Sequence, residues 1–254
     1  MLKKRLIAVI LVRDGRVVQS VKFKHTNVIH YDAIHAIESF NRWAIDEIVV
    51  LNVSKSIESQ QPFLSVIEKI SRECFVPMTV GGWIDSVAYG KELLSLGADK
   101  LTINTQAKES PKLIKDLAAK FGSQCVVLSI DSKKDDSGVE RVVIDRGSRM
   151  TSHKTIDWAI EVEKYGAGEI FLNSIDHDGN RKGYNLPLIQ EVADAVSIPV
   201  IAMGGVLTWN HLIAGIEQTN ASAVAAANIF HYTEHSTKKA KRALLNKNLN
   251  FRTL

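Results

Sequence analysis

Three short phrases occur twice, in the same order, in the two halves of the chain. DEIVVLN, VPMTVGG and GADKLTIN return as AGEIFLN, IPVIAMGG and ASAVAAAN. Matching like residues sets Asn52 on Asn173, Pro77 on Pro199, Gly81-Gly82 on Gly204-Gly205, and Asn104 on Asn228. The offsets are 121, 122, 123 and 124 residues. A near-constant offset implies one multi-element unit used twice, with paired sites related by a pseudo-twofold axis.

The unit is an alternation of β-branched runs and amphipathic stretches of helical length. Strands are expected at Leu6–Val12, Ile48–Leu51, Met78–Val80, Leu101–Ile103, Val126–Ile130, Ile170–Leu172, Val200–Ala202 and Ala223–Ala226. Helical patterns fall between them at Ala33–Trp43, Phe63–Arg72, Val87–Leu96, Lys112–Phe121, Ile156–Lys164, Leu188–Ala195 and His211–Gln218. A last one lies near Thr237–Leu245, and its Lys/Arg-rich run reads as a solvated helix face. Eight β/α steps predict an α/β fold, a (β/α)8 TIM barrel made of two (β/α)4 halves, with its active site at the C-terminal ends of the strands. No Pro/Gly/Ser-rich linker divides the 254 residues, so one domain over residues 1–254 is expected.

Composition narrows the class of partner. With 45% apolar and 24% charged residues the chain is globular rather than disordered, and a net charge of +4 is too small to argue for nucleic acid. Cys74 and Cys125 sit in apolar contexts, as expected of reduced thiols in a cytoplasmic protein, and neither has metal-ligand spacing; no cofactor is implied. The opening MLKKRLIAVILVRDG has the basic head of a secretion signal. Its apolar run is only seven residues and no cleavage site follows, so it reads as a first strand. Nothing approaches the ~18 apolar residues of a membrane span.

The chemistry-bearing residues fall at the strand ends. Gly81-Gly82 and Gly204-Gly205 follow strands three and seven, where missing side chains let backbone N–H groups approach an anion. Asn104-Thr105, Asp178-Gly179 and Ala227-Asn228 end strands four, six and eight and add donors. Twofold repetition then suggests two phosphate sites, although loop glycines and helix caps would look the same. Asp131 ends strand five, and Asp176 and Asp178 follow strand six; all are candidates for proton transfer, with capping the plainer role for Asp176. The segments 13–30 and 132–155 are long for barrel loops and read as lids. At the opposite edge Arg5, Glu47, Lys100 and Glu169 each begin a strand. Two cations and two anions would converge there, either as a functional ring or as a stabilising salt-bridge cluster.

The phrases MLKKRLIAVILVRDGRVV, PMTVGGWIDS, GADKLTINTQA, KFGSQCVVLSID, GAGEIFLNSIDHDGNRKGY, SIPVIAMGG and AAANIFHY together resemble the cyclase subunit family of imidazole glycerol phosphate synthase over essentially the whole chain. The resemblance implies a (β/α)8 barrel forming a heterodimer with a class I glutamine amidotransferase docked at its bottom. Ammonia would pass through the barrel to a bis-phosphorylated substrate. It makes Arg5, Glu47, Lys100 and Glu169 the ammonia gate and Asp131 one of two catalytic aspartates. Gly82, Asn104, Thr105, Asn173, Asp178, Gly179, Gly204, Gly205, Ala227 and Asn228 match the phosphate and substrate positions.

The departures are concentrated at the mouth. The second catalytic aspartate is Leu11, and a lysine of the first loop is Gln19. An aspartate after strand two is Asn52, and the third glycine of the first phosphate turn is Trp83. In the second half a threonine is Asn173 and serines are Met203 and Asn228. Leucine cannot move a proton, so the ammonia route is kept while part of the catalytic set of this lyase-type synthase is replaced. The crowding indole of Trp83 suggests a weaker phosphate site in the first half than in the second. A branch of the family, paralogues that serve acetamidino-sugar formation in surface polysaccharide (lipopolysaccharide) synthesis together with a glutaminase and a third amidating enzyme, also has Leu at that aspartate and the phrase EIFLNSID. Three functions follow: ammonia delivery for sugar amidination, authentic cyclase of histidine biosynthesis, or a non-catalytic ammonia-conducting scaffold. The substrate would be a phosphorylated or sugar small molecule.

Overall fold

A computed structural model describes residues 3–21, 23, 25–42, 45–231 and 236–253. The expected helix end at Trp43, and Met1, Leu2 and Tyr232 of the family phrases, lie outside them. The first half runs β1 (Arg5–Arg13), β2 (Arg16–Val21), β3 (His25–His30), α1 (Ile34–Arg42), β4 (Glu47–Asn52), α2 (Gln60–Ser71), β5 (Met78–Gly81), α3 (Val87–Ser95), β6 (Lys100–Ile103), α4 (Thr105–Glu109) and α5 (Lys112–Phe121). The second runs β7 (Val126–Lys134), β8 (Glu140–Ile144), β9 (Arg149–Lys154), α6 (Thr155–Lys164), β10 (Glu169–Ser174), α7 (Leu186–Ala195), β11 (Val200–Met203), α8 (Trp209–Glu217), β12 (Ala223–Ala226) and α9 (Ser236–Asn246).

Strands β1, β4, β5, β6, β7, β10, β11 and β12 pair in that circular order, every pair parallel, and the β12–β1 pairing closes the cylinder. This is the expected (β/α)8 barrel. Period-two alternation along each strand divides its residues between two cores. Ile7, Val9, Val49, Val127, Phe171, Ile201, Ala223 and Ala225 fill the cylinder, while Leu6, Ala8, Ile10, Ile48, Val50, Leu128 and Ile170 face the surrounding helices. Each such fully buried Ile, Leu or Val contributes roughly 1.5–3 kcal/mol.

The structure corrects the alignment of the halves at three of its four tie points. Glu47 and Glu169 each begin a six-residue strand, so Asn52 is equivalent to Ser174 rather than to Asn173. Gly82 (φ +111°) matches Gly204 (φ +104°), and Trp83 (φ +59°) matches Gly205 (φ +86°). Asn104 (φ −132°, ψ −96°) matches Ala227 (φ −104°, ψ −80°). Only Pro77 and Pro199 keep their partners. Like letters had been set on each other, whereas position along the strand decides equivalence.

The two long segments are not simple loops. Segment 13–30 forms β2 and β3, and segment 132–155 forms β8 and β9, two antiparallel ribbons that extend β1 and β7 beyond the barrel rim. They are equivalent across the pseudo-twofold axis, so the repeat includes them. The C-terminal helix also differs from expectation. Lys241 on α9 is buried and ion-paired with Asp46, which in turn accepts Leu6 N at 2.8 Å. One lysine of the supposedly solvated run therefore ties α9 to the strand starts. Among the described residues no helix is long and apolar enough to cross a membrane.

Candidate functional site

At the N-terminal ends of β1, β4, β6 and β10 the four charged residues form a closed ring. Arg5 Nη1 donates to Glu47 at 2.9 and 3.1 Å, and its other terminal nitrogen donates to Glu169. Lys100 Nζ completes the circuit, 2.9 Å from Glu169 and 3.6 Å from Glu47. Both glutamates are buried and both cations retain about a fifth of their side-chain exposure. Burial works against the Arg5 charge, but hydrogen bonds and charges from Glu169 and Glu47 outweigh it and raise its pKa above the usual value. Each carboxylate is held by two cations, so the four side chains make a coupled ring at the lower end of the barrel.

At the other end lies a cavity of about 390 Å³. The strand registers decide what each half presents to it. In the first half Leu11 pairs with Leu51, and in the second Asp131 pairs with Asn173. Leu11 and Asp131 are thus equivalent positions facing one cavity, one apolar and one acidic. Asp131 is buried, and its two carboxylate oxygens accept from Asn173 Nδ2 at 3.0 Å and Asn104 Nδ2 at 2.7 Å. Burial pushes its pKa up to about 6, the two amide donors oppose the shift, and the nearby charge of Asp178 adds to it. A carboxyl titrating near neutrality in a cavity suits proton transfer, and an ionised one suits a donor-bearing ligand.

Gly82, Asn104, Thr105, Asn173, Asp178, Ala227 and Asn228 line the cavity, whereas Gly179, Gly204 and Gly205 do not. A Cβ on Gly179 would meet Val21 of β2, and one on Gly205 would lie 2.3 Å from Gly183 O. Gly179 thus allows the loop after β10 to approach the β2–β3 ribbon, and Gly205 allows close approach between two second-half loops. The Thr105 hydroxyl accepts Asp145 N at 2.9 Å, holding the β8–β9 turn over the mouth, and α4 is a single short turn with little dipole to offer. Asn52 closes its own loop through Ser54 N and Ser59 Oγ, each at 3.0 Å. Gln19 lies within the β2–β3 ribbon opposite Asn27 and away from the cavity. Asp176 accepts Lys134 N at 3.0 Å and acts as a tether.

Trp83 lines the cavity beside Gly82. Its indole N–H donates to Ser54 O at 3.0 Å, and Arg146 lies over the ring, 5.4 Å from the centroid. Lys55, Arg146, Phe23, Thr102 and Ser129 also line the cavity and were not anticipated. The last two follow from inward alternation along β6 and β7, which sequence spacing could have supplied. Arg146 could not be found that way, because its place depends on the β8–β9 turn folding back across the mouth. Among the described residues there is no cluster of His, Cys, Asp and Glu suited to hold a metal ion.

Comparison with known proteins adds the family. The model for the histidine biosynthesis protein family matches residues 5–236. A provisionally named imidazole glycerol phosphate synthase subunit hisF2 of Vibrio vulnificus is 43% identical over 252 residues, covering 99% of this chain and 92% of the relative. The imidazole glycerol phosphate synthase subunits HisF of Streptococcus gordonii and Streptococcus sanguinis are each 38% identical over 244 residues, 96% of either chain. With a family match across the whole barrel and relatives this similar along nearly their full length, the chain belongs to the histidine biosynthesis protein family.

Proposed function

We propose that this barrel receives ammonia from a class I glutaminase docked at its lower face and passes it to an acceptor at the mouth, with the histidine-pathway cyclisation curtailed. The observation that carries the reading is an intact Arg5–Glu47–Lys100–Glu169 ring beneath a mouth in which Leu11 occupies the position equivalent to Asp131. Both halves of the reading are chemical. The ring keeps the residues for gating a small neutral molecule, whereas a leucine cannot donate or accept a proton. Of the acceptors compatible with this, we favour a surface-polysaccharide sugar, with a third enzyme to complete the amidination, because Leu11 and the phrase EIFLNSID resemble the family branch that serves it. Authentic cyclase is the second reading, favoured by a well-held Asp131 with a pKa of about 6 and by the HisF relatives at 38% identity.

One assay separates the two. The bis-phosphorylated aminoimidazole precursor is supplied with ammonium salt at high pH, which bypasses the glutaminase, and precursor loss is followed. A positioned acid or base contributes about 10²–10⁴-fold, so turnover is expected to fall short of a cyclase with both aspartates by at least that factor. Leu11→Asp is expected to recover only part of it, because Gln19, in the β2–β3 ribbon and away from the cavity, does not replace the missing cation and Asn173 remains beside Asp131. Turnover equal to that of a complete cyclase would decide for the second reading. Size-exclusion chromatography with a glutaminase subunit tests the docking itself, and a complex without stimulated ammonia transfer would leave only the scaffold role.

A further inference from the structure

Large apolar side chains left exposed are unevenly distributed. Among the described residues they are Val28, Tyr31, Ile57, Phe75, Met150 and Leu207. Phe75 precedes β5 and so lies at the lower end of the barrel. The other five belong to segments that leave strand C-terminal ends: Val28 is on β3, Tyr31 between β3 and α1, Ile57 after β4, Met150 on β9 and Leu207 between β11 and α8. None stands on the outer helices, where a single exposed apolar residue is ordinary. In the circular strand order these segments extend β1, β4, β7 and β11, and β1 and β7 are diametrically opposite. The five therefore stand on several sides of the mouth. None of them lines the cavity, so a small substrate held there does not account for them.

The charges of the rim are unequal as well. Asp14, Asp135 and Asp145 pair with Arg13, Arg141 and Arg146, Asp32 with Lys69, and Glu109 with Arg149. Asp176 accepts Lys134 N, Glu140 accepts from Ser132 and Asn185, and Asp178 is buried. That leaves Glu58, Asp85 and Asp136 as exposed carboxylates with no ion pair among the described residues. Lys55, Lys133, Lys134, Lys154, Arg181 and Lys182 are likewise unpaired cations, and Arg16 lies 5.4 Å from the ring centroid of Tyr31, itself 80% exposed. Apolar anchors in a field of surplus positive charge complement a protein face that carries acidic groups. A second copy of this chain fits poorly, because a twofold contact through this face would set the same cations against each other.

We infer that the mouth rim docks a second protein, an ammonia-consuming enzyme that lays an acidic surface over the barrel and opens its own acceptor site onto the cavity. The surface is read from the rim residues alone, whereas the partner's chemistry rests on the ammonia-delivery reading. Ammonia released at an uncovered mouth is protonated in neutral water and ceases to be a nucleophile, so delivery needs a cover. Leu11 also leaves Asp131 without an acidic counterpart in the first half, and a docked enzyme supplies the proton-transfer groups that the barrel lacks.

The test places the photo-crosslinking residue p-benzoylphenylalanine at Ile57, Met150 or Leu207, and for comparison at Phe75, in the full chain expressed in its own host. The three rim positions are expected to capture one and the same protein, distinct from whatever Phe75 captures at the lower end. That protein is then purified and titrated with this chain. Met150→Asp and Leu207→Asp, at exposed positions where thermal unfolding should not change, are expected to weaken the complex by about tenfold or more each. Lys182→Glu is expected to weaken it and to reduce its sensitivity to salt. With a glutaminase added, the captured protein is expected to consume glutamine-derived ammonia faster in the presence of this chain than without it. Capture of no protein or of a second copy of this chain, unchanged affinity in both Asp variants, or a captured protein that consumes no ammonia would overturn the inference. Rim capture with ammonia consumption, but no glutaminase captured at Phe75, would uphold it while counting against docking at the lower face.

Discussion

Asp131 concentrates the physical tension of the site in one residue. Its carboxyl is buried and titrates near pH 6, above the ordinary 3.8. Between about pH 4 and pH 6 the folded protein keeps a proton that the unfolded chain has already lost, so stability falls as pH rises through that window. Below pH 4 both states are protonated and nothing is lost; above pH 6 the full penalty applies. Two pKa units correspond to about 2–3 kcal/mol. Asp131→Asn removes the titration while keeping the shape. Urea unfolding is expected to show the variant gaining on the parent by about 2 kcal/mol more at pH 7.5 than at pH 4. An equal difference at both pH values would mean that the carboxyl is not held as described. Asp131 was legible in the sequence because it closes an expected strand and strand ends face the mouth of a barrel, whereas Leu11 was legible only through the family resemblance, which places an aspartate there. The role of Asn173 was not: that its amide nitrogen secures Asp131 while its oxygen lies against Gly204 is a matter of rotamer and register. The bond of the Trp83 indole to Ser54 O was beyond reach of the sequence for a similar reason, since its partner is a backbone carbonyl of another loop.

The strands were legible as elements because barrel strands, covered on both faces, read as short β-branched runs bounded by turn residues. The ribbons were missed although a signal was present. Arg13-Asp14-Gly15-Arg16 is an Asp-Gly hairpin turn, with φ +50° and +76° at its centre and Arg13 paired with Arg16. That geometry matches the twist of the flanking strands and needs positive φ at both positions. No atom lies within 4 Å of a Cβ built on Gly15, so the effect of a side chain there is one of backbone conformation alone. Gly15→Val is expected to destabilise the β1–β2 turn by about 1–2 kcal/mol. Hydrogen exchange should then speed up by roughly tenfold in β2 and β3 while the barrel strands keep their protection. Unchanged exchange in the ribbon would show that it is held from elsewhere, for which the Asn228 Nδ2 to Ser20 O contact at 3.2 Å is the available tie.

At the scale of the whole molecule the two halves share a frame and divide the labour unequally. The ring at the bottom draws Arg5, Glu47 and Lys100 from the first half and only Glu169 from the second, so it also joins the halves across the β12–β1 and β7–β6 seams. A ring differs from a set of surface pairs in its coupling. Each glutamate is buried, and losing one cation leaves two carboxylates under-compensated, which is more damaging than the loss of an exposed pair. Lys100→Met is therefore expected to lower stability by about 1–3 kcal/mol, discounted because the lysine is partly exposed. Glu47→Gln on its own leaves Arg5 and Lys100 with Glu169 and should act less. In the double variant the remaining Arg5–Glu169 pair balances, so the combined loss should be smaller than the sum of the two by about 1 kcal/mol or more. Strict additivity in urea unfolding would reduce the ring to independent salt bridges. If the ring is also a gate, the same Lys100→Met protein in complex with a glutaminase should change the fraction of glutamine-derived nitrogen that reaches the mouth at an unchanged rate of glutamine hydrolysis. A change in stability with no change in that fraction would assign the four residues to the architecture of the barrel alone.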